Sequence, residues 1–261
     1  MKPRYIARVF IRVLQACGLV LMLLSGTAVA AHAAEPAAEA ESILRAVEAA
    51  QTYRTIEYEG MMEITSGTRV LVKRFRTWAA GSDKVLVEFT NAEDKGVRML
   101  RLGSTVWMYF PSERETVRIS GSLLRQGLMG SNISYEEIAE GAHYLDSYRA
   151  TLVRREEYAG RPCAVIRLEA RQNTMTFATR ILWVDLERNV PLKTELYARS
   201  GLLLKTIEVR RLEQIEGRLM PVEVDIIDAT RQRSMTRFTM EKVRLDRPMD
   251  ASLFSLEALT R

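Results

Sequence analysis

The sequence of 261 residues contains few of the side chains that catalysis and metal binding require. It has only two histidines and two cysteines. His32 and Cys17 lie near the amino terminus, which leaves His143 and Cys163 for the rest of the chain. No Ser-His-Asp or Cys-His set can be built except around His143, and no zinc site of ordinary composition is available. We interpret His143 as a surface or helix-end histidine and Cys163 as a buried, inert thiol.

Nucleotide and calcium motifs are also missing. The sequence has no phosphate-binding glycine loop, no dinucleotide fingerprint and no calcium-binding loop. We therefore predict a protein that is not an enzyme and that needs no metal or cofactor. Carboxylates are plentiful, however, and a mechanism that used only carboxylates would leave no sequence signature.

The amino terminus has the layout of a secretory signal peptide. An apolar run from Ala16 to Ala30 is followed by small residues, with a predicted cleavage point near Ala33. The alternative is an uncleaved anchor, because the apolar run approaches the length that spans a bilayer. Cys17 precedes most of the apolar run and is not interpreted as a lipidated cysteine. The basic residues before the run are Lys2, Arg4, Arg8 and Arg12.

The mature chain lacks an excess of charge of either sign. The whole sequence has a net charge of +5, from 38 basic and 33 acidic residues. Removing residues 1–33 removes four basic residues and no acidic one, which leaves 34 against 33 and a net charge of +1. Without a basic surface there is no case for nucleic acid as a partner.

Hydrophobic alternation with a period of two dominates the chain and predicts a mainly β protein. Glycine-containing turns separate the segments, so we expect consecutive antiparallel strands in which each pairs with the one before it. The predicted strands are Ile56–Thr65, Val70–Trp78, Lys84–Asn91, Val97–Leu102, Val106–Phe110, Thr116–Ile119, Tyr148–Arg154, Pro162–Ala170, Thr176–Asp185, Leu192–Ala198, Leu203–Leu212, Leu219–Ile227 and Met235–Leu245.

Two helices are predicted at the ends of the mature chain. Apolar residues recur at helical spacing over Ala38–Tyr53, which indicates an amphipathic helix. At the other end Asp250 is a candidate cap for one short helix that docks against the sheet. Its expected apolar contacts are Leu253, Phe254 and Leu256.

One segment, Ser120 to Ala142, interrupts the strand pattern. Ser134 and Glu137 have the spacing of a capping box, which predicts a helix that begins there and ends near Gly141. An apolar patch that includes Leu123 and Leu124 precedes it, with a second short helix expected there despite Gly127 and Gly130. The segment is either a movable cover or an irregular connection between strands, and the pattern favours neither.

The stretch VWMYF, Val106 to Phe110, is apolar on both faces of its strand. Trp107 and Tyr109 must point opposite to Met108 and Phe110, because successive side chains of a strand alternate. One set is therefore expected to face the concave side of the sheet, and the other to be covered or partly exposed.

The block EDKGVRMLRLGSTVWMYFPSERETVRISGSLLRQGLMGSNISYEEI, Glu93 to Ile138, resembles the bacterial outer-membrane lipoprotein-sorting protein family, relatives of the periplasmic lipoprotein carrier LolA. The stretches RILWVDLERNVPLKTELYARSGLLLKTIEV and LEQIEGRLMPVEVDIID are similar to its second half. The resemblance covers nearly all of the mature chain, so residues 34–261 are predicted to form a single domain.

The resemblance implies an incomplete, open antiparallel β-barrel of about a dozen strands, with short helices that cover an apolar cavity for acyl chains. It further implies a periplasmic carrier of lipids or lipidated proteins in a Gram-negative bacterium. An inner-membrane exporter of the resistance-nodulation-division (RND) type is the implied partner.

On this reading, two sets of apolar residues are candidates for the cavity. Phe89, Met99, Trp107 and Tyr109 are predicted to line its wall, and Leu124, Leu128 and Met129 to form the cover. Two other functions stay open: an accessory subunit of the exporter whose cavity is filled by its own side chains, and a periplasmic hydrolase that uses carboxylates.

Overall fold

The computed structural model describes residues 35–140 and 144–260. In this part of the chain, thirteen strands form a single antiparallel sheet that is not closed into a barrel, which confirms the predicted fold class. The predicted signal peptide at 1–33, with Cys17, and the residues Gly141 and His143 lie outside the described residues. The strands are β1 (Thr55–Ser66), β2 (Arg69–Ala80), β3 (Lys84–Phe89), β4 (Arg98–Leu102), β5 (Thr105–Phe110), β6 (Glu115–Ile119), β7 (Tyr148–Tyr158), β8 (Arg161–Ala170), β9 (Thr179–Asp185), β10 (Val190–Tyr197), β11 (Leu203–Ile215), β12 (Arg218–Asp228) and β13 (Ser234–Leu245).

The order of the strands departs from a simple meander at one connection. The sheet runs β6-β5-β4-β3-β2-β1-β13-β12-β11-β10-β9-β8-β7, so β6 and β7 are its two edges. The expectation that every strand pairs with its predecessor is therefore wrong for β7. The chain leaves the sheet at the β6 edge and re-enters it at the opposite edge, and the segment between them has to span the sheet.

The register of the strands identifies one continuous inner face. Directly opposed residues of an antiparallel pair lie on the same face, so a row of paired residues can be followed across the sheet. This row crosses the sheet on one face, which we call the inner face. It runs through Ile64, Thr236, Ile226, Ile207, Thr194, Leu182, Ile166 and Leu152.

The first described helix, α1 (35–50), packs on the inner face of β7, β8 and β9. Ala40, Leu44 and Val47 are almost fully buried there, at the three- and four-residue spacing that puts side chains on one side of a helix. Tyr53, which was expected in the helix, lies in the loop that follows it. Three more short α-helices are described: α2 (Tyr135–Glu140), α3 (Tyr144–Ser147) and α4 (Leu256–Thr260). None of the described helices combines the length and the apolar character needed to cross a membrane.

The carboxyl-terminal segment packs on the outer face instead. Asp250 accepts a hydrogen bond from the backbone N–H of Ser252, as predicted, but it caps a single 3-10 turn (Ala251–Leu253) and α4 follows separately. Phe254 and Leu259 are buried against β3, β4 and β5, while Leu256 is 48% exposed, so its expected docking role is wrong. The guanidinium of Arg98 donates to the Ala258 and Leu259 carbonyl oxygens at the helix end.

We expect Leu259→Ala to lower the free energy of unfolding by about 2 kcal/mol or more, because it removes a fully buried side chain. Leu256→Ala, in the same helix but exposed, is the matched control and should change it by less than about 0.5 kcal/mol. Urea denaturation followed by tryptophan fluorescence measures both. Equal effects of the two substitutions would show that α4 does not dock as described.

Candidate functional site

An apolar wall occupies the inner face of the sheet from β1 to β6. Phe89 and Met99 are 0% and 2% exposed, and Met108 lies directly opposite Met99 on the neighbouring strand. Leu124, Leu128 and Met129 pack against the same wall. The structure thus brings together two of the four predicted lining residues and all three predicted cover residues. The wall is formed by Met62, Ile64, Phe75, Val87, Phe89, Val97, Met99, Val106, Met108 and Ile119.

Trp107 and Tyr109 do not belong to this wall, which corrects their predicted position. They lie one residue out of phase with Met108, and Trp107 is paired with Leu100 on the outer face. There they contact the cluster of Leu86, Phe254 and Leu259 under the carboxyl-terminal segment. VWMYF is therefore apolar on both faces because its inner side meets the cover and its outer side meets α4.

The cover crosses the sheet between its two edges. We call residues 120–140 and 144–147 the lid; they comprise two 3-10 turns (Gly121–Arg125 and Leu128–Gly130), α2 and α3. The capping box is present: the Ser134 N–H donates to the Glu137 carboxylate at 2.8 Å, and the Glu137 N–H donates to Ser134 Oγ at 3.3 Å. The patch around Leu124 and Leu128 is formed by the 3-10 turns, not by the short helix that was expected.

Gly127 fixes the turn in the middle of the lid. A Cβ atom on this residue would lie 1.8 Å from the Ser131 carbonyl oxygen, so no other residue fits without moving the backbone. Met129 nearby has a φ of 49°, in the left-handed region that non-glycine residues rarely adopt. The lid is thus a specified turn with local strain, and not a loose connection.

Polar contacts anchor the lid to the central strands. Asn132 donates from its backbone N–H to Thr236 Oγ1 at 2.9 Å and from its side chain to Ser234 Oγ at 3.2 Å. Lys205 Nζ donates to the Asn132 carbonyl oxygen at 2.7 Å and forms an ion pair with Glu137. A further bond joins Thr176 Oγ1 to the Glu136 carboxylate at 2.6 Å. These contacts hold the lid from β11, β13 and the loop before β9, all of which are distant from it in sequence.

A cavity of about 530 Å³ opens beside the lid, between α1, α2, α3, the beginning of β3 and the end of β4. This volume lies within the range of about 300–1,000 Å³ that is typical of small-molecule sites. Aliphatic side chains from α1, β3 and α2 line it, together with two tyrosines and several polar or charged side chains. The lining residues used below are Val47, Glu48, Tyr53, Val85, Arg101, Glu137 and Ile138.

Titratable groups at the inner face are affected by burial. Burial raises the pKa of the Tyr58 phenol to about 12, and it also raises the pKa of the Tyr135 phenol in the lid. Both shifts indicate surroundings in which a charged group is poorly solvated. The contact region between wall and lid is therefore a poor environment for charge.

The described residues contain no group of three or more His, Cys, Asp or Glu side chains that could hold a metal ion. The two carboxylates that line the cavity are already engaged. Glu48 accepts from the backbone N–H groups of Tyr144 and Leu145, at 2.9 and 3.5 Å, and Glu137 bonds to Ser134 and Lys205. What the arrangement can do chemically is to enclose an apolar group under a cover with polar anchors.

Comparison with known proteins supports this architecture. A family model described only as that of an uncharacterized protein matches residues 81–261. No curated protein matches the chain.

Three crystal structures share the fold. A DUF1329 family protein from Desulfovibrio piger is 23% identical, with a TM-score of 0.80 over 86% of this chain and 99% of the other. A putative outer membrane lipoprotein-sorting protein domain from Vibrio parahaemolyticus is 19% identical, with a TM-score of 0.79 over 86% and 100%. A LolA superfamily protein from Nitrosomonas europaea is 22% identical, with a TM-score of 0.71 over 84% and 98%.

We expect Lys205→Met to weaken the closed lid, because it removes the ion pair with Glu137 and the bond to the Asn132 carbonyl. The expected results are a loss of about 1–2 kcal/mol in the free energy of unfolding and increased binding of an apolar fluorescent dye. Lys242→Met is the control, since the ion pair of Lys242 with Glu59 is exposed and contributes little. If both variants bound the dye equally, Lys205 would not hold the lid.

Proposed function

Since the chain belongs to the family whose model matches residues 81–261, and shares its fold with a putative outer membrane lipoprotein-sorting protein domain and a LolA superfamily protein, we propose that it is a periplasmic carrier of lipids or lipidated proteins in a Gram-negative bacterium. The observation that carries the proposal is the apolar wall under a lid with polar anchors. In this proposal the acyl chains of the cargo occupy the space between wall and lid, next to Phe89 and Met99. No catalytic step is required.

The energy of solvation explains why a carrier needs such a chamber. Exposing an acyl chain of about 16 carbons to water costs about 12 kcal/mol, at about 0.8 kcal/mol per methylene. A cargo can therefore cross an aqueous compartment only if the chain stays covered. Leu124, Leu128 and Met129 contribute apolar surface on the lid side, and methionine adapts to chains of varied shape.

The proposal includes a partner at the inner membrane, an exporter of the RND type, which rests on the family resemblance. We propose that the carrier exchanges its cargo with this exporter on the way towards the outer membrane. To test the partnership, the rate of cargo transfer from the loaded protein is measured with vesicles that contain the exporter and with vesicles that lack it. Equal transfer to both kinds of vesicle would contradict it.

A second candidate function is an accessory subunit of the exporter whose chamber is filled by its own side chains. The near-complete burial of Phe89 and Met99 beneath the lid favours it, because these residues already have apolar contacts. The two candidates differ in whether the lid opens. A carrier must exchange lid side chains for acyl chains, whereas the subunit keeps its lid closed.

A reversible lid lock distinguishes the two candidates. The double variant replaces a side-chain contact between the lid and β13 with two cysteines, Asn132→Cys and Ser234→Cys. A short bis-methanethiosulfonate reagent can then join the two thiols. The native Cys163 is buried and should not react. The protein is purified from the periplasm, and uptake of a fluorescent acylated peptide is measured before cross-linking, after it, and after reduction.

We expect the cross-link to slow uptake at least tenfold and reduction to restore it, since the lid must leave the wall for loading. The two single-cysteine variants are the controls for the substitutions themselves. Uptake at an unchanged rate in the cross-linked protein would show that the lid does not gate the chamber. Absence of saturable binding in the reduced protein would contradict the carrier function.

A further inference from the structure

Arg101 places a positive charge on the inner face, next to the apolar wall. It lies on β4, two residues beyond Met99, and its register partners are Val85 on β3 and Val106 on β5. Alternation therefore directs it to the side of the wall, where it lines the cavity beside α1. Only 7% of the residue is exposed.

The guanidinium has few partners for a buried cation. Its Nε donates to the Gly103 carbonyl oxygen at 2.8 Å, and among the described residues it forms no ion pair within 4.0 Å and no other hydrogen bond. Burial lowers the pKa of Arg101, and the nearby Asp83 and Tyr53 partly offset this. An arginine has five N–H donors, so most of its hydrogen-bonding capacity is unused. Burying a charge without a counter-ion is costly, which calls for an explanation.

The other charged groups of the cavity do not supply the missing partner. Glu48 is engaged by the backbone of α3, and Glu137 by Lys205 and the capping box. Among the described lining residues, Arg101 is thus a charged residue with a single hydrogen bond and no ion pair within 4.0 Å. An anion that entered the cavity would meet it directly.

The surroundings of Arg101 also fit an acyl chain. Val47, Val85 and Ile138 line the same cavity, and Val85 and Ile138 also pack against the apolar wall described above. Apolar surface therefore continues from the guanidinium to the space under the lid. A molecule with one acidic end and one apolar end matches this arrangement.

We propose that Arg101 binds the acidic head group of an anionic amphiphile, a carboxylate or a phosphate, whose acyl chain extends under the lid. The fork of a guanidinium matches two oxygens of either group in a bidentate hydrogen bond. This inference rests on the proposed carrier function and adds to it the class of cargo that the cavity prefers.

The test compares three ligands with the same acyl chain: hexadecanoic acid, a hexadecanoyl lysophosphatidic acid and the neutral monohexadecanoyl glycerol. Affinities are measured with the whole protein purified from the periplasm and stripped of lipid. We expect at least one acidic ligand to bind at least tenfold more tightly than the neutral one. Which of the two acidic ligands is preferred identifies the source of the head group.

Arg101→Met should remove this preference, with an at least tenfold loss of affinity for the acidic ligand and a much smaller change for the neutral one. Arg118→Met is the matched control, because it deletes the same charge from an exposed position opposite Trp107 on the outer face. The melting temperature of Arg101→Met should not fall, since the deleted charge has no counter-ion among the described residues.

The outcomes separate this inference from the function on which it rests. If the unmodified protein bound acidic and neutral ligands with equal affinity, the head-group site would be overturned and the carrier function left intact. This comparison does not depend on any variant. A preference that persists in Arg101→Met would also overturn it. Failure of all three ligands to bind would reject the carrier function itself.

Discussion

An open sheet with an apolar inner face exposes that face to water unless another part of the chain crosses it. The strand order meets this requirement, because β6 and β7 lie at opposite edges and residues 120–147 have to run between them. The lid is therefore a consequence of topology, and its apolar residues bury the wall that it crosses. The burial of an apolar surface of this kind is the main favourable contribution to folding.

The proposed carrier function requires the lid to open, so the lid cannot be held too tightly. Lys205 and Asn132 anchor the lid through a few hydrogen bonds and one ion pair, each with a net contribution of about 1 kcal/mol. Apolar contacts between lid and wall can be exchanged for contacts with an acyl chain at little net cost, because both are apolar. Opening then needs a few kcal/mol, which is small beside the cost of leaving an acyl chain in water. The left-handed Met129 and the crowded Gly127 specify the shape of the turn.

Much of the fold could be predicted from the sequence because its determinants are local. Alternation and the intervening turn residues located most strands, and the spacing of Ser134 and Glu137 located the start of α2. The position of Trp107 could not be predicted in this way, since a strand that is apolar on both faces carries no information about which face is inside. Arg101 did leave a signal, a charge in phase with Met99, but it became readable only when the inner face was known.

The anchors of the lid left no local signal. Lys205 lies 73 residues from Asn132, and Thr236 lies 104 residues from it, so the contacts depend on the pairing of distant strands. The same is true of the edge position of β7, which is set by the pairing of β1 with β13.

The central claim is that the space between wall and lid holds acyl chains in the periplasm. The test uses protein purified from the periplasm without detergent. Its mass is measured by native mass spectrometry, and an organic extract of the same sample is analysed for lipid. We expect a bound species with the mass of an acylated molecule, present at near one equivalent per protein and released by the organic solvent. The claim would be contradicted if the mass equalled that of the polypeptide alone and the extract held no more lipid than an extract of an unrelated periplasmic protein.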